Sequence, residues 1–148
     1  VGSEMCIRDR HSMEDSISLP IHGGADAARR ARKCVLSRLD PRMSERQILD
    51  IAVIVSELVT NSVIHAHVGP DQSVVVGLAL RPERVLITVE DPGSQLEPRL
   101  LGPRANGEPG RLGLFLVDEL SSAWGFERND LGTTRVWCEV ALEQALPV

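Results

Sequence analysis

The sequence predicts an α+β fold: a two-layer sandwich in which a mixed, mostly antiparallel sheet carries helices on one face. Three observations predict it. Strand-like runs follow each other directly at 73–79 and 84–90, and again from Trp124 to Leu142. A doubly wound parallel sheet would place a helix between them. Helical and strand patterns come in the order β, α, α, β, β, loop, α, β, β, which segregates into two layers. The chain has 148 residues, enough for one domain with one core.

Each element has a local cause. Ile17-Ser-Leu-Pro-Ile21 alternates apolar and polar, and Pro20 places this short strand at an edge. Gly23-Gly24 breaks it. Ala25 to Leu39 reads as a helix, with Ala28, Ala31, Val35 and Leu39 along one stripe, and Asp40-Pro41 stops it. Ser44-Glu-Arg-Gln47 is a capping box in which Ser44 caps and Gln47 reaches back. The helix it opens runs to about His65. It is the longest and most apolar, so it belongs under the sheet, and Gly69-Pro70 ends the segment. Arg81-Pro82-Glu83 separates two β-rich runs, which read as a hairpin or near-hairpin. Residues 91–111 hold four Gly and four Pro with little periodicity and read as a long loop, a length typical of functional segments. Leu112 to Ala123 is helical, with Leu114, Val117 and Leu120 on one face. A strand starts at Trp124-Gly125-Phe126, a turn falls at 129–132, and Thr133 to Leu142 closes as the last strand.

Composition excludes several classes. A net charge of −5 does not point to nucleic acid or an anionic membrane as partner. No apolar run is read as membrane-spanning, and no signal peptide is read. Cys6, Cys34 and Cys138 are far apart with no CxxC, which argues against a disulfide framework or zinc site and for reduced thiols in a cytoplasmic protein. Residues 1–10, VGSEMCIRDR, lack periodicity, and MCIRDR resembles a translated sequencing adapter. The expectation is a disordered tail over 1–15 and a single domain over 16–148, with Met13 one candidate for the native start.

Four short pieces carry the chemistry. Glu57 and Asn61 in SELVTNSVIHA are four apart, on one helical face, and His65 continues the line. A carboxylate and a carboxamide beside an apolar stripe need a reason, because unpaired burial costs a few kcal/mol. Asp91-Pro-Gly93 follows a strand of Val and Ile, where an acceptor and an open backbone suit the polar edge of a flat ligand. Gly110-Arg-Leu-Gly113 precedes a helix, whose N-terminus suits phosphate. Gly132-Thr-Thr134 begins the last strand. Each piece alone is an ordinary turn, cap or solvent edge.

In this order and spacing the four resemble the N, G1, G2 and G3 boxes of the Bergerat-fold ATPases, the superfamily of gyrase, Hsp90 and histidine kinases. ELVTNSVIHA, DPG, GLFLVDELSSAWG and GTTRVW resemble the anti-sigma-factor serine/threonine kinase branch, abundant in actinobacteria. The resemblance covers roughly 17–142. It implies ATP and Mg²⁺ as cofactors, with Asn61 on the metal and Glu57 as the general base toward an incoming serine. It implies that Asp91 accepts from the adenine amino group, Gly93 clears space for the ring, and Thr134, or Thr133 in its place, supports the same edge. Gly110 and Gly113 shape the lid, with Leu114 beside them in the nucleotide-binding set. The implied partners are an anti-sigma-factor antagonist of STAS type, a sigma factor and a second copy of the chain, without nucleic acid or membrane.

His65, Trp124 and Trp137 read as packing residues, and Arg104 and Arg111 as solvated. Two positions depart from the family pattern: Gln95 stands where the first box usually continues to a second glycine, and Arg111 falls on the first glycine of the lid box. Three functions follow in order: a protein serine kinase, a regulator that acts by docking alone, and a detached histidine kinase catalytic domain. The last is disfavoured because no dimerisation helix with a phosphoacceptor histidine precedes the domain; His11 lies in the tail.

Overall fold

A computed structural model describes residues 7–9, 15–92, 111–130 and 132–143. Its elements are β1 (Ile7–Asp9), β2 (Asp15–His22), α1 (Ala27–Leu36), α2 (Glu45–His65), β3 (Ser73–Leu80), β4 (Arg84–Asp91), α3 (Arg111–Leu120), β5 (Ala123–Arg128) and β6 (Thr134–Ala141). They form one six-stranded sheet in the order β1-β2-β3-β4-β6-β5. Every pairing is antiparallel, so the mostly antiparallel sheet of the sequence reading is antiparallel throughout. The α+β two-layer sandwich is the fold.

The strands alternate as a half-buried sheet must. Ile17, Leu19 and Ile21 on β2, Val74, Val76 and Leu78 on β3, Val85, Ile87 and Val89 on β4, and Val136, Cys138 and Val140 on β6 join one core with the helices. α1 packs on β2 and α2, α2 on β3 and β4, and α3 on α2 and β5. Each fully buried Val, Leu or Ile contributes about 1.5–3 kcal/mol of burial free energy. Burial pushes the Cys138 thiol up to about 12, which makes it an inert core residue.

Differences from the sequence reading have local reasons. Within the expected 1–15 tail, Ile7–Asp9 pairs with Ser16–Ser18 and β2 already begins at Asp15. The short strand expected at an edge is therefore second in the sheet, with β1 outside it along Ser16–Ser18; Pro20 pairs with Val75 of β3 and has no β1 partner among the described residues. Ser44 caps α2 by accepting from the Gln47 N–H at 3.2 Å. The Gln47 side chain does not reach back, however. It donates from Nε2 to the Ala141 carbonyl at 2.9 Å and accepts from the Glu143 N–H at 3.3 Å. The buried amide satisfies two main-chain groups at the end of β6, a stronger demand than a solvent-exposed cap. By length and composition α2 would also pass for a membrane-crossing helix, which the sequence reading did not anticipate. Its buried residues include Ile51, Ile54, Val55, Leu58 and Val59 in the core against the sheet.

The two ends of α2 are pinned to opposite ends of the sheet. Gln47 ties its first turn to the end of β6. Past its last turn, Val68 and Gly69 cross against Gly23, where a Cβ would meet the Val68 carbonyl and lie 2.6 Å from the Gly69 oxygen. Only glycine permits that approach. Gly23 also donates to the Gln72 carbonyl at 3.0 Å, which closes the corner between β2 and β3.

Candidate functional site

Pinning α2 sets where its polar residues fall. Arg84 pairs with Ala141 and Asp91 with Thr134, so α2 starts at the Arg84 end of β4 and runs toward its Asp91 end. From Gln47 to Asn61 a helix rises roughly 21 Å. From Arg84 to Asp91 a strand covers roughly 23 Å. By these lengths Asn61 falls toward the Asp91 end of the sheet, one turn beyond Glu57.

Asn61 is 6% exposed, and neither its Oδ1 nor its Nδ2 has a hydrogen-bond partner among the described residues. The neighbouring Ser62 Oγ is buried and partnerless in the same sense. Native interiors satisfy nearly all such groups. An orphaned carboxamide is a hard oxygen donor, of the type that suits Mg²⁺ beside phosphate. Its donor chemistry fits that ion.

Asp91 and Thr134 are 5% and 2% exposed. They are cross-strand partners with the burial parity of Val89 and Val136, so both side chains face the helices. Thr133 faces the other way: its hydroxyl donates to Glu90 at 3.3 Å. There it lines an outer cavity of about 250 Å³ with Glu90, Glu127, Arg128, Asn129 and Arg135. The register comes from the preceding turn. Gly132 has φ +86° and donates to the Asn129 carbonyl at 3.0 Å, and Asn129 Oδ1 accepts from the Thr133 N–H at 3.0 Å. This Asx-type closure places Thr134 opposite both Asp91 and Arg128.

Glu57 is half-buried and makes no ion pair or hydrogen bond among the described residues. Burial alone pushes its carboxyl above the ordinary glutamate range. A raised folded pKa favours the protonated form. Its stabilising contribution is complete below the unfolded value, about 4.3, and is lost as pH rises through the folded value. Glu57→Gln is therefore expected to gain thermal stability over the wild type as pH rises from 4 to 7. Thermal unfolding at both pH values checks this, and equal differences at the two would reject it.

Gly93 and Gly110 lie outside the described residues, as do Arg104 and Gln95. Gly113 falls in the first turn of α3, and Leu114 beside it is a buried core residue. His65 is the last residue of α2, half-buried. Trp124 packs on the core and donates from Nε1 to Asp118 at 2.9 Å. Trp137 covers Gly125, where a Cβ would approach its ring to 2.9 Å. The sequence reading missed Arg128, whose Nε donates to Thr134 Oγ1 at 3.4 Å. Counting the hairpin across the 129–132 turn would have found it.

The class of the domain follows from comparison with known families, taken together with this two-layer topology. The chain belongs to the histidine kinase-like ATPase domain family, whose model matches residues 24–137. Within it the chain is similar to two anti-sigma F factors. It is 39% identical to that of Oceanobacillus iheyensis over 67 residues and 36% identical to that of Bacillus cereus over 67 residues. In both, the match takes in 45% of this chain and 44% of the relative, so less than half the length of these relatives is spanned. A chain of the SiaB–SiaC complex from Pseudomonas aeruginosa superposes with a TM-score of 0.55 at 13% identity, covering 84% of this chain and 89% of that one. That likeness is one of fold.

Proposed function

We propose that the chain binds ATP and Mg²⁺ between α2 and the ends of β4 and β6, and transfers the γ-phosphate to a serine of an anti-sigma-factor antagonist. The observation that carries this reading is the buried carboxamide of Asn61, without a hydrogen-bond partner among the described residues. Its Oδ1 would hold the cation, and no group of three or more His, Cys, Asp or Glu is placed to hold one among the described residues. A cation there would complete its shell from phosphate oxygens and water. When bound, Mg²⁺ supplies charge neutralisation on the phosphate oxygens. Asp91 accepts from the exocyclic amino group of adenine, and Thr134 holds the same edge. Glu57, half-buried and without an ion pair among the described residues, takes the proton of the serine hydroxyl. Similarity to anti-sigma F factors supports the choice of partner, and extends to sequestering a sigma factor on the same face.

A docking-only regulator is the second reading, favoured by Gln95 and Arg111 at positions where the resemblance places glycines. Calorimetric titration with ATP, with and without Mg²⁺, separates the two. Magnesium-dependent ATP binding is the expected result, and absence of binding in both conditions would leave only docking.

A further inference from the structure

We infer that the outward ridge of α2, formed by Leu49, Val53 and Ile64 with the basic edge of α1 beside it, is the docking surface for an amphipathic helix of a partner protein, apolar along one stripe and acidic along one edge. The inference rests on a protein partner being bound, which both readings of the function share. α2 carries more apolar residues than the fold covers. It is apolar enough to cross a membrane, yet only 44% of that apolar stretch is buried. The excess faces outward. Leu49, Val53 and Ile64 are 65%, 36% and 40% exposed, and they are three of the five exposed large hydrophobic residues among the described ones. Steps of four and eleven residues keep the three on one helical face. From Leu49 to Ile64 the helix rises roughly 22 Å, about four turns. Half-buried Ser56 and Thr60 fill the interval. The solvated face of a surface helix carries charged and polar residues instead. Single exposed apolar residues are ordinary, whereas an apolar stripe along one helix marks an interaction surface.

α1 determines the charge of the occupant. It packs along α2, and Arg32 Nη1 donates to Ser56 Oγ at 2.8 Å while that hydroxyl donates to the Ala52 carbonyl at 2.9 Å. Arg32 thus reaches from α1 to the middle of the ridge. Its helix, AARRARKCVL, holds four bases and no acid in a chain of net charge −5. Arg29 and Lys33, on either side of Arg32 in the sequence, are exposed. The pair of Arg29 with Asp26, at 3.7 Å and largely in solvent, contributes little. A positive edge beside an apolar stripe complements a helix with carboxylates along one side. Two other occupants fit less well. A lipid surface would have to take in Asp50 and Glu57, which flank the ridge, and a carboxylate in hydrocarbon costs free energy. A second copy seated antiparallel on the ridge would set one basic α1 against the other. The ridge also passes Glu57, so a helix lying on it brings its own flanking chain to that carboxylate.

The probe is a fluorescein-labelled designed helix of about 18 residues, long enough to span the ridge. It carries leucine along one stripe and glutamate along one edge, and a second peptide has lysine in place of each glutamate. Both are titrated by fluorescence anisotropy at low salt into three proteins: the wild type, the double variant Leu49→Ser with Ile64→Ser, and the double variant Arg29→Glu with Lys33→Glu. The wild type is expected to bind the glutamate peptide about tenfold more tightly than the lysine peptide. Leu49→Ser with Ile64→Ser is expected to weaken both peptides by about tenfold. Arg29→Glu with Lys33→Glu is expected to reverse the preference between them. Amide shifts of the isotope-labelled wild type on adding the glutamate peptide are expected to cluster along 49–64 of α2 and on α1. Absence of binding, equal binding of the two peptides, or shifts clustered on the open face of the sheet would overturn the inference. So would self-association of the wild type, or its binding to phosphatidylglycerol vesicles, if Leu49→Ser with Ile64→Ser abolished it; the ridge would then belong to a second copy or to lipid. ATP titration of the same proteins keeps the two readings apart. A wild type that binds the glutamate peptide but no ATP strikes the nucleotide reading and leaves the docking surface, and one that binds ATP but neither peptide strikes this inference alone. All four substituted side chains are exposed, and thermal unfolding shows that each variant is folded.

Discussion

Asn61→Leu is expected to make the nucleotide-free protein more stable while lowering its Mg²⁺-dependent affinity for ATP. Asn61 is 6% exposed with both amide atoms lacking partners among the described residues. Each buried, unsatisfied polar atom costs about 1–3 kcal/mol. Leucine has similar volume and no polar atom, so it removes that cost and adds apolar burial against the core. A net gain of about 1–2 kcal/mol is expected, less than the summed cost of the two atoms because leucine's branched shape does not match the amide's place in the packing. That corresponds to a melting temperature higher by a few degrees, roughly 2–8 °C for a chain of this size. The same change deletes the proposed cation ligand. Losing an outer-shell partner of a metal already costs about 10–100-fold, so a loss on the order of 10²-fold in Mg²⁺-dependent ATP affinity is expected. The opposite signs are the test. A residue kept for packing would lose stability when replaced, and denaturant unfolding that showed Asn61→Leu less stable by more than about 1 kcal/mol would end the assignment. Such a trade, stability given up for a site, is common in functional pockets.

How much of this was legible in the sequence follows from what each residue's environment depends on. The bounds of α2 were legible because Ser44 is a cap whose partner is three residues away. The β3–β4 hairpin was legible because alternation and the break at Arg81-Pro82-Glu83 are local. The direction of the Gln47 side chain was not legible: its partners are Ala141 and Glu143, at the far end of the chain. Nor was β1, since residues 7–9 carry no period of their own and pair only because β2 is there. At the site, the spacing of Glu57 and Asn61 declared a shared face, but only the pinning of both ends of α2 puts Asn61 toward the Asp91 end of the sheet. Thr133 and Thr134 stood as alternatives because alternation has no absolute phase until a partner fixes it. The pairing of Asp91 with Thr134, and the bond from Thr133 to Glu90, supply that phase. The contact of Arg128 with Thr134 escaped notice because it depends on a cross-strand neighbour rather than on any motif.

Glu57→Ala is expected to lower phosphoryl transfer by 10²–10⁴-fold, the usual worth of a positioned general base. ATP affinity should change by less than about threefold, because the carboxylate is assigned to the incoming hydroxyl rather than to the nucleotide. The structural basis is a carboxylate one turn before Asn61, half-buried, with no cation beside it among the described residues. Burial raises its pKa, so the base is stronger than a solvated glutamate, and it stays protonated to a higher pH. The transfer rate of the wild type should therefore fall on the acid side from a pH above the ordinary glutamate range, and Glu57→Gln should share the loss seen in Glu57→Ala. The measurement is single-turnover transfer of labelled γ-phosphate to a purified serine-bearing antagonist protein, across pH 5 to 8. Equal transfer by wild type and Glu57→Ala would remove Glu57 from the chemistry. Loss of ATP binding in Glu57→Ala would move it to the nucleotide. A wild type that binds ATP with Mg²⁺ yet phosphorylates no antagonist would leave a nucleotide-responsive docking protein in which the carboxylate has another task.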